Sequence, residues 1–246
     1  MGKVKDGIEY ELIKSRKESK INLVFIHGIG FNKRFFESIA KELGEYNCYL
    51  IDLPGHGGSE DSGFTFENYL NRVSDFLREI DSAVVIGHSL GGTIALAIAL
   101  RRIHTVKGVM IIAGGAESAE YGEELQENIN KCLTNINSFR ESLGHVNNDL
   151  VSKTLEHIES NRIILEDLKI SMSINILNSL GNINIPLTII SGEDDKLYPL
   201  NYAEHIHEKV KESRFVTFKD TGNMLPLVKE KEVVEEIKKL IEEIEH

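Results

Sequence analysis

An apolar run, a tight turn bracketed by glycines and an apolar helical stretch follow one another around residue 89. The run AVVI (83–86) leads into GHSLGG (87–92), and TIALAIAL (93–100) comes directly after it. A serine between strand and helix on so tight a turn must adopt a strained backbone, and flanking glycines let neighbouring chain approach where a Cβ would clash. The pattern is typical of a nucleophile elbow, which lifts Ser89 Oγ off the sheet over the helix N-terminus. The alternative is a glycine-rich turn with an incidental serine.

Six nearly continuous apolar runs alternate with helical patterns along most of the chain. Runs rich in Val, Ile, Leu and Phe are what strands buried on both faces of a parallel sheet require. We therefore predict an α/β fold, a mostly parallel sheet flanked by helices, with right-handed crossovers. The predicted strands are 22–28, 48–55, 83–89, 106–114, 186–195 and 214–222, and the predicted helices are 33–44, 66–80, 90–103, 200–211 and 229–245. The opening KDGIEYELIKS (5–15) predicts one or two antiparallel edge strands.

The alternation of strand and helix breaks once, between residues 116 and 185. Helix-like polar segments there carry apolar residues at three- and four-residue steps, as in Leu125, Ile129, Cys132, Leu133 and Ile136, and in Ile174, Ile176, Leu177 and Leu180. A stretch this long without a strand is too large for a loop in a compact domain. We predict a helical lid, residues 116–185, inserted after the sixth strand into a core made of residues 1–115 and 186–246.

The amino-acid composition limits the kinds of molecule that this protein is expected to bind. The chain has 28 Lys and Arg against 39 Asp and Glu, a net charge of −11, which disfavours nucleic acid and anionic membranes as partners. Its two cysteines, Cys48 and Cys132, have no metal-binding spacing and are too few for a disulfide framework. The first residues lack the apolar stretch of a signal peptide, and no window approaches eighteen apolar residues. We expect a cytoplasmic protein without a membrane span; its oligomeric state is left open.

Three further motifs each follow a predicted strand. They are HGIG (27–30), DLPGHGGS (52–59) and GEDDKLYP (192–199). With the elbow, and in this order, they resemble the α/β-hydrolase family over essentially the whole chain. The resemblance implies a serine hydrolase in which Ser89 is the nucleophile and residues 27–30 form the oxyanion loop. No cofactor and no metal is implied.

The same resemblance assigns roles to single residues. The backbone N–H groups of Ile29 and Leu90 match the two donors that would hold the oxyanion. Gly28 and His88 are expected to shape the substrate pocket. His27 and His56 match scaffold positions that hold loops by hydrogen bonds.

The acid of the family's triad has a match in this chain, whereas the histidine base does not. In the loop GEDD the motif spacing selects Asp195 over Asp194 as the acid. The family histidine belongs after the last strand, where this chain reads DTGNMLP (220–226), with Asn223 in its place. An amide has no titratable nitrogen near neutral pH, so Asn223 cannot take the proton from Ser89. Losing the base of such a triad costs on the order of a millionfold in turnover.

Two explanations stay open for Asn223: an ester hydrolase whose histidine has been replaced, which the intact remaining machinery favours, or a non-catalytic, ligand-binding relative. We expect its amide to donate to Asp195 and to leave Ser89 unactivated.

The expected substrate is a small ester with an apolar acyl group. A thioesterase, an acyltransferase or a carbon–carbon bond hydrolase would use the same serine. Four other histidines could in principle replace the base, but the predicted position of none of them favours this role. They are His145 and His157 in the predicted lid, and His205 and His207 on the helix after the acid loop.

Overall fold

The computed structural model describes residues 3–118 and 149–246. Its strands are β1 Lys3–Lys5, β2 Ile8–Ile13, β3 Asn22–Ile26, β4 Asn47–Ile51, β5 Ala83–His88, β6 Val106–Ile112, β7 Leu187–Gly192 and β8 Arg214–Phe218. They form one eight-stranded sheet in the order β1-β2-β4-β3-β5-β6-β7-β8.

The sheet is parallel from β4 to β8, and β1 and β2 extend it antiparallel at one edge. Every residue of β5 and of β7 is buried, because helices cover both faces of the sheet. The predicted fold class, a mostly parallel sheet flanked by helices, is confirmed. All six predicted strands are present, although no residue of β8, at the other edge of the sheet, is fully buried. The segment KDGIEYELIKS contains β2, and β1 lies just before it and ends at Lys5.

The described residues form eight α-helices. They are α1 Glu37–Glu42, α2 Phe66–Arg78, α3 Leu90–Leu100, α4 Asp149–Leu155, α5 Asn161–Ser171, α6 Leu200–Lys209, α7 Leu225–Val228 and α8 Glu230–Glu245. Helix α3 is apolar all round and is buried from Leu90 to Ala99, where it packs on β5, β6 and α2. The amphipathic helix α8 buries one face against α1 and β6.

The segment between β6 and β7 is anchored at its base. Glu117 and Asn175 form an antiparallel bridge, and Ile176 N–H donates to the Ala116 carbonyl at 2.7 Å. In between, the described residues form α4 and α5, while the stripe predicted at 125–136 lies outside them. The stripe predicted at 174–180 is not an α-helix: it begins with this bridge and continues as a 3-10 helix, Leu177–Asn182. The cause is that Ile176 N–H pairs across the bridge instead of four residues back.

Five strands place chemically active loops at one edge of the sheet. The loops that start at His27, Asp52, Ser89, Glu193 and Lys219 follow the carboxyl ends of β3, β4, β5, β7 and β8. Because parallel strands end at the same edge, these loops converge there. None of the described helices is long and apolar enough to cross a membrane.

Candidate active site

Ser89 occupies a strained turn between β5 and α3. Its backbone has φ 52° and ψ −119°, a conformation that residues other than glycine rarely adopt. Its N–H donates to the Ile112 carbonyl at 2.9 Å, which fixes the turn to the neighbouring strand. The strained elbow expected from the sequence is therefore present.

The glycines of the elbow are there because no side chain fits. A Cβ on Gly87 would lie 2.1 Å from the Gly91 carbonyl oxygen, and a Cβ on Gly91 would lie 2.3 Å from the Ile26 carbonyl oxygen. Both distances are far below van der Waals contact, so α3 can start this close to β3 and β5 only with glycine at both positions.

The oxyanion loop, residues 27–30, packs directly on the elbow. A Cβ on Gly28 would lie 3.0 Å from Ser89 Cβ. Among the described residues, Ile29 N–H donates to no acceptor, and Leu90 N–H, at the first position of α3, has no partner within the helix. Two backbone donors in the loop and turn next to the serine thus have no acceptor among the described groups, and their role as oxyanion donors stays a prediction.

Asp195 is a buried carboxylate held by three donors. Its Oδ1 accepts from Leu197 N–H at 2.8 Å and from Tyr198 N–H at 2.9 Å, and its Oδ2 accepts from Asn223 Nδ2 at 3.2 Å. Burial raises the pKa of Asp195 from 3.8 to about 6, although the three hydrogen bonds act in the opposite direction. Asp194, the alternative acid, is exposed.

Asn223 faces the acid. Its Nδ2 also lies 3.4 Å from the Ala113 carbonyl oxygen, and only 6% of the residue is exposed. Asp194 N–H donates to the Thr221 carbonyl at 3.0 Å, and this contact ties the acid loop to the loop of Asn223. No hydrogen bond within the described part of the chain involves Ser89 Oγ. The Asn223 amide therefore donates to Asp195, as expected, and that Ser89 lacks a base stays a prediction.

His88 supports the loop of Asn223 from beneath. Its ring is fully buried and stacks on Phe35 with centroids 4.4 Å apart. Nε2 lies 2.8 Å from the Asn223 carbonyl oxygen and must donate to it, so Nδ1 is the unprotonated nitrogen and has no partner among the described groups. Burial lowers the pKa of His88 to about 4, which keeps the ring neutral. The pocket-shaping role of Gly28 and His88 stays a prediction.

Four other histidines have rings that contact groups other than Ser89. His27 donates from Nδ1 to the Gly28 carbonyl and accepts at Nε2 from Leu53 N–H, and burial lowers its pKa to about 3. Three of the possible replacement bases also have partners. The ring of His157 contacts Arg34, that of His205 contacts Glu117 and that of His207 contacts Ser213. His145 lies outside the described residues. Within residues 3–118 and 149–246, no cluster of His, Cys, Asp and Glu could hold a metal ion.

Two acidic residues that contact the oxyanion loop are missed by sequence reasoning. Glu159 N–H donates to the Gly30 carbonyl at 2.8 Å, and Asp167 Oδ2 accepts from Gly30 N–H at 2.9 Å. The sequence does contain a signal for Asp167. It lies three residues after Ile164 and one before Leu168, so it places a charge on the buried face of α5.

The sheet, the elbow and the ordered loops together define a class of protein. A model of the α/β hydrolase family matches residues 23–236, and the chain belongs to that family. Among solved structures, a lipase-esterase related protein from Clostridium acetobutylicum has a TM-score of 0.88 and 31% identity, and the match covers 95% of this chain and 99% of that one.

Named relatives are similar along most of their length. A proline iminopeptidase from Saccharolobus solfataricus is 26% identical, over 97% of this chain and 90% of the relative. A pimeloyl-[acyl-carrier protein] methyl ester esterase from Shewanella woodyi is 26% identical, over 72% of this chain and 77% of the relative. The relatives are thus hydrolases, both esterases and a peptidase.

Proposed function

We propose that this site is built to hydrolyse carboxylic esters through an acyl-enzyme on Ser89. In this proposal Ile29 and Leu90 N–H hold the oxyanion, Asp195 orients the base, and position 223 carries the base when it is histidine. With Asn223 in that place the chain turns esters over very slowly, because no group accepts the serine proton.

One observation carries the proposal: Asn223 Nδ2 donates to Asp195 Oδ2 at 3.2 Å. A histidine at 223 would aim its Nδ1–H at the same oxygen, since the Asn amide and the near side of the imidazole ring have similar outlines. The imidazole carries a second nitrogen beyond this point, which would reach towards Ser89. The asparagine side chain ends before it, so the acid has a partner and the nucleophile has none.

The substrate class rests on the relatives and on the apolar residues of the predicted lid. Two of the relatives carry esterase in their names, one of them for a methyl ester. We propose a neutral ester with a short or medium apolar acyl chain, seated under a lid formed by residues 116–185 on the core of residues 1–115 and 186–246. A thioesterase, an acyltransferase or a carbon–carbon bond hydrolase would share the serine and differ in this pocket.

The test compares the chain with Asn223→His on p-nitrophenyl acetate, butyrate and octanoate. We expect Asn223→His to raise kcat/KM by at least about a thousandfold, because it restores the base. Asn223→Gln is the matched control, since it changes the side chain without adding a titratable nitrogen, and it should give no increase. Ser89→Ala in the Asn223→His background should abolish the gain.

The contact between Asn223 and Asp195 also favours a second function, a non-catalytic ligand-binding protein, because it pairs the acid with an amide that cannot accept a proton. If Asn223→His folds and hydrolyses none of the three esters, the ester hydrolase proposal fails and ligand binding takes its place. If the chain with Asn223 already hydrolyses them as fast as Asn223→His does, another group is the base, and His145 or His157 becomes the residue to replace.

A further inference from the structure

The buried carboxylate of Asp167 lies outside the nucleophile motif at 87–92 and the acid motif at 192–199. Asp167 is completely buried on α5, on the face that also carries Ile164, Leu168 and Ser171. An ionised side chain in such a place needs partners for both oxygens, because an unpaired buried charge costs several kcal/mol.

Its partners come from three parts of the core. Asp167 Oδ2 accepts from Gly30 N–H at 2.9 Å and from His56 Nε2 at 2.9 Å. Asp167 Oδ1 accepts from the Tyr69 hydroxyl at 2.8 Å. The oxyanion loop, the loop after β4 and helix α2 are therefore joined to α5 through one carboxylate.

The ring of His56 supplies the balancing charge. Its Nδ1 lies 3.1 Å from the Pro54 carbonyl oxygen and its Nε2 faces Asp167, so both nitrogens donate and the ring is an imidazolium. Burial alone would lower the pKa of His56, but the charge and hydrogen bond of Asp167 outweigh it and raise the pKa. A buried ion pair contributes little net stability, so its value lies in the geometry it imposes.

That geometry acts on Gly30. This residue has φ 67°, its N–H is held by Asp167, and its carbonyl accepts from Glu159 N–H at 2.8 Å. Both of its backbone polar groups are therefore fixed by the segment between β6 and β7. The peptide that carries Gly30 N–H is joined at the Ile29 Cα to the peptide that carries Ile29 N–H. Fixing the first peptide restricts the rotation that aims the second.

We propose that Asp167 is a positioning residue that orients the oxyanion loop, so that Gly30 N–H is consumed by the carboxylate and Ile29 N–H is left aimed at the oxyanion. This role rests on the proposed function. It predicts that Asp167 supports the rate of the chemical step more than the binding of the ester, since the donor it aims gains strength only as negative charge develops.

The first measurement needs no activity. Amide exchange of Gly30, followed by NMR in the chain as it stands, should become at least about tenfold faster in Asp167→Ala, because the amide loses its acceptor. Tyr69→Phe is the matched control: it removes the partner of Oδ1 and lowers stability, but it keeps the hydrogen bond from Gly30 N–H to Oδ2, so the exchange of Gly30 should accelerate much less than in Asp167→Ala. Equal acceleration in both variants would mean that Asp167 contributes general stability only.

Asp167→Asn keeps the test decisive if Asp167→Ala does not fold. Its amide oxygen can still accept from Gly30 and His56, so the protein should fold while the Gly30 proton resonance moves upfield as its acceptor loses charge. An unmoved Gly30 resonance would overturn the proposal.

The second measurement uses Asn223→His as the parent enzyme. Asp167→Ala should lower kcat by about 10- to 100-fold and change KM by less than about threefold, a smaller loss than deletion of an oxyanion donor. Asp167→Asn should recover most of kcat, and Tyr69→Phe should stay within about twofold of the parent. An unchanged kcat, or a loss confined to KM, would refute the role. If the parent itself hydrolyses no ester, the proposed function fails, and the exchange of Gly30 still decides whether Asp167 orients the loop.

Discussion

The burial of Asp195 should cost stability at neutral pH, and Asp195→Asn should recover it. Asp195 is only 4% exposed and has no cation beside it among the described residues, so its three hydrogen bonds do not offset the loss of water. The substitution keeps the outline of the side chain and an oxygen for Leu197 and Tyr198 N–H. The side-chain amide of Asn223 can flip, so that its oxygen accepts from the NH2 group introduced at position 195.

The size of the effect follows from the pKa. The folded protein holds the Asp195 proton up to about pH 6, whereas the unfolded chain releases it near 3.8. Between these values the folded state binds more protons, so its stability falls as the pH rises, and the penalty is absent below pH 3.8 and complete above pH 6. The difference in pKa corresponds to about 3 kcal/mol. Relative to the unsubstituted chain, Asp195→Asn should therefore gain about 3 kcal/mol between pH 3.5 and pH 7.5.

Urea unfolding between pH 3.5 and 7.5 measures this gain directly. The matched control is Asp194→Asn, which removes an exposed carboxylate from the same loop and should follow the unsubstituted chain at every pH. If the free energies of unfolding of Asp195→Asn and the unsubstituted chain run parallel across this range, Asp195 is not destabilised by burial and the reasoning is refuted.

Two further substitutions test the elbow. Ser89→Gly should be more stable than Ser89→Ala by about 1 kcal/mol, since glycine relieves the strain of φ 52° and loses part of that gain to chain entropy; equal unfolding midpoints would contradict the strain. Gly91→Ala should cost more than about 3 kcal/mol, because its Cβ would lie 2.3 Å from the Ile26 carbonyl oxygen. Gly181→Ala, with its nearest neighbour 4.0 Å away, should stay near zero by the same measurement, and a similar loss in both glycine variants would refute the steric argument.

Local patterns predict most of the sheet because its strands are buried on both faces. The continuous apolar runs that become β5 and β7 cannot be exposed on either side, so their sequence alone indicates a parallel sheet. The convergence of Asn223 on Asp195 is predictable for the same reason, since both follow carboxyl ends of adjacent parallel strands. The cytoplasmic location and the division into core and lid stay predictions.

Contacts made across long sequence separations could not be read in this way. The spacing of Ile174 to Leu180 fits a helix, and only the pairing of Ile176 with Ala116, sixty residues away, turns its start into a bridge. Asp167 is similar: a charge on the buried face of α5 indicates that a partner exists, but nothing local indicates that the partners are Gly30 and His56.

Several features of the candidate site cost stability, and they support the proposed catalytic function. Ser89 has a strained backbone, and among the described residues Ile29 N–H has no acceptor and the buried Asp195 has no cation beside it. A protein that only binds a neutral ligand has no use for a buried carboxylate aimed at position 223, and an apolar residue there would be more stable. A neutral histidine at 223 would donate Nδ1–H to Asp195 and keep its other nitrogen free to act as the base, and Asp195 would stabilise the imidazolium that forms when the serine proton is taken. These features support the proposed hydrolase, in which Asn223→His should raise the activity.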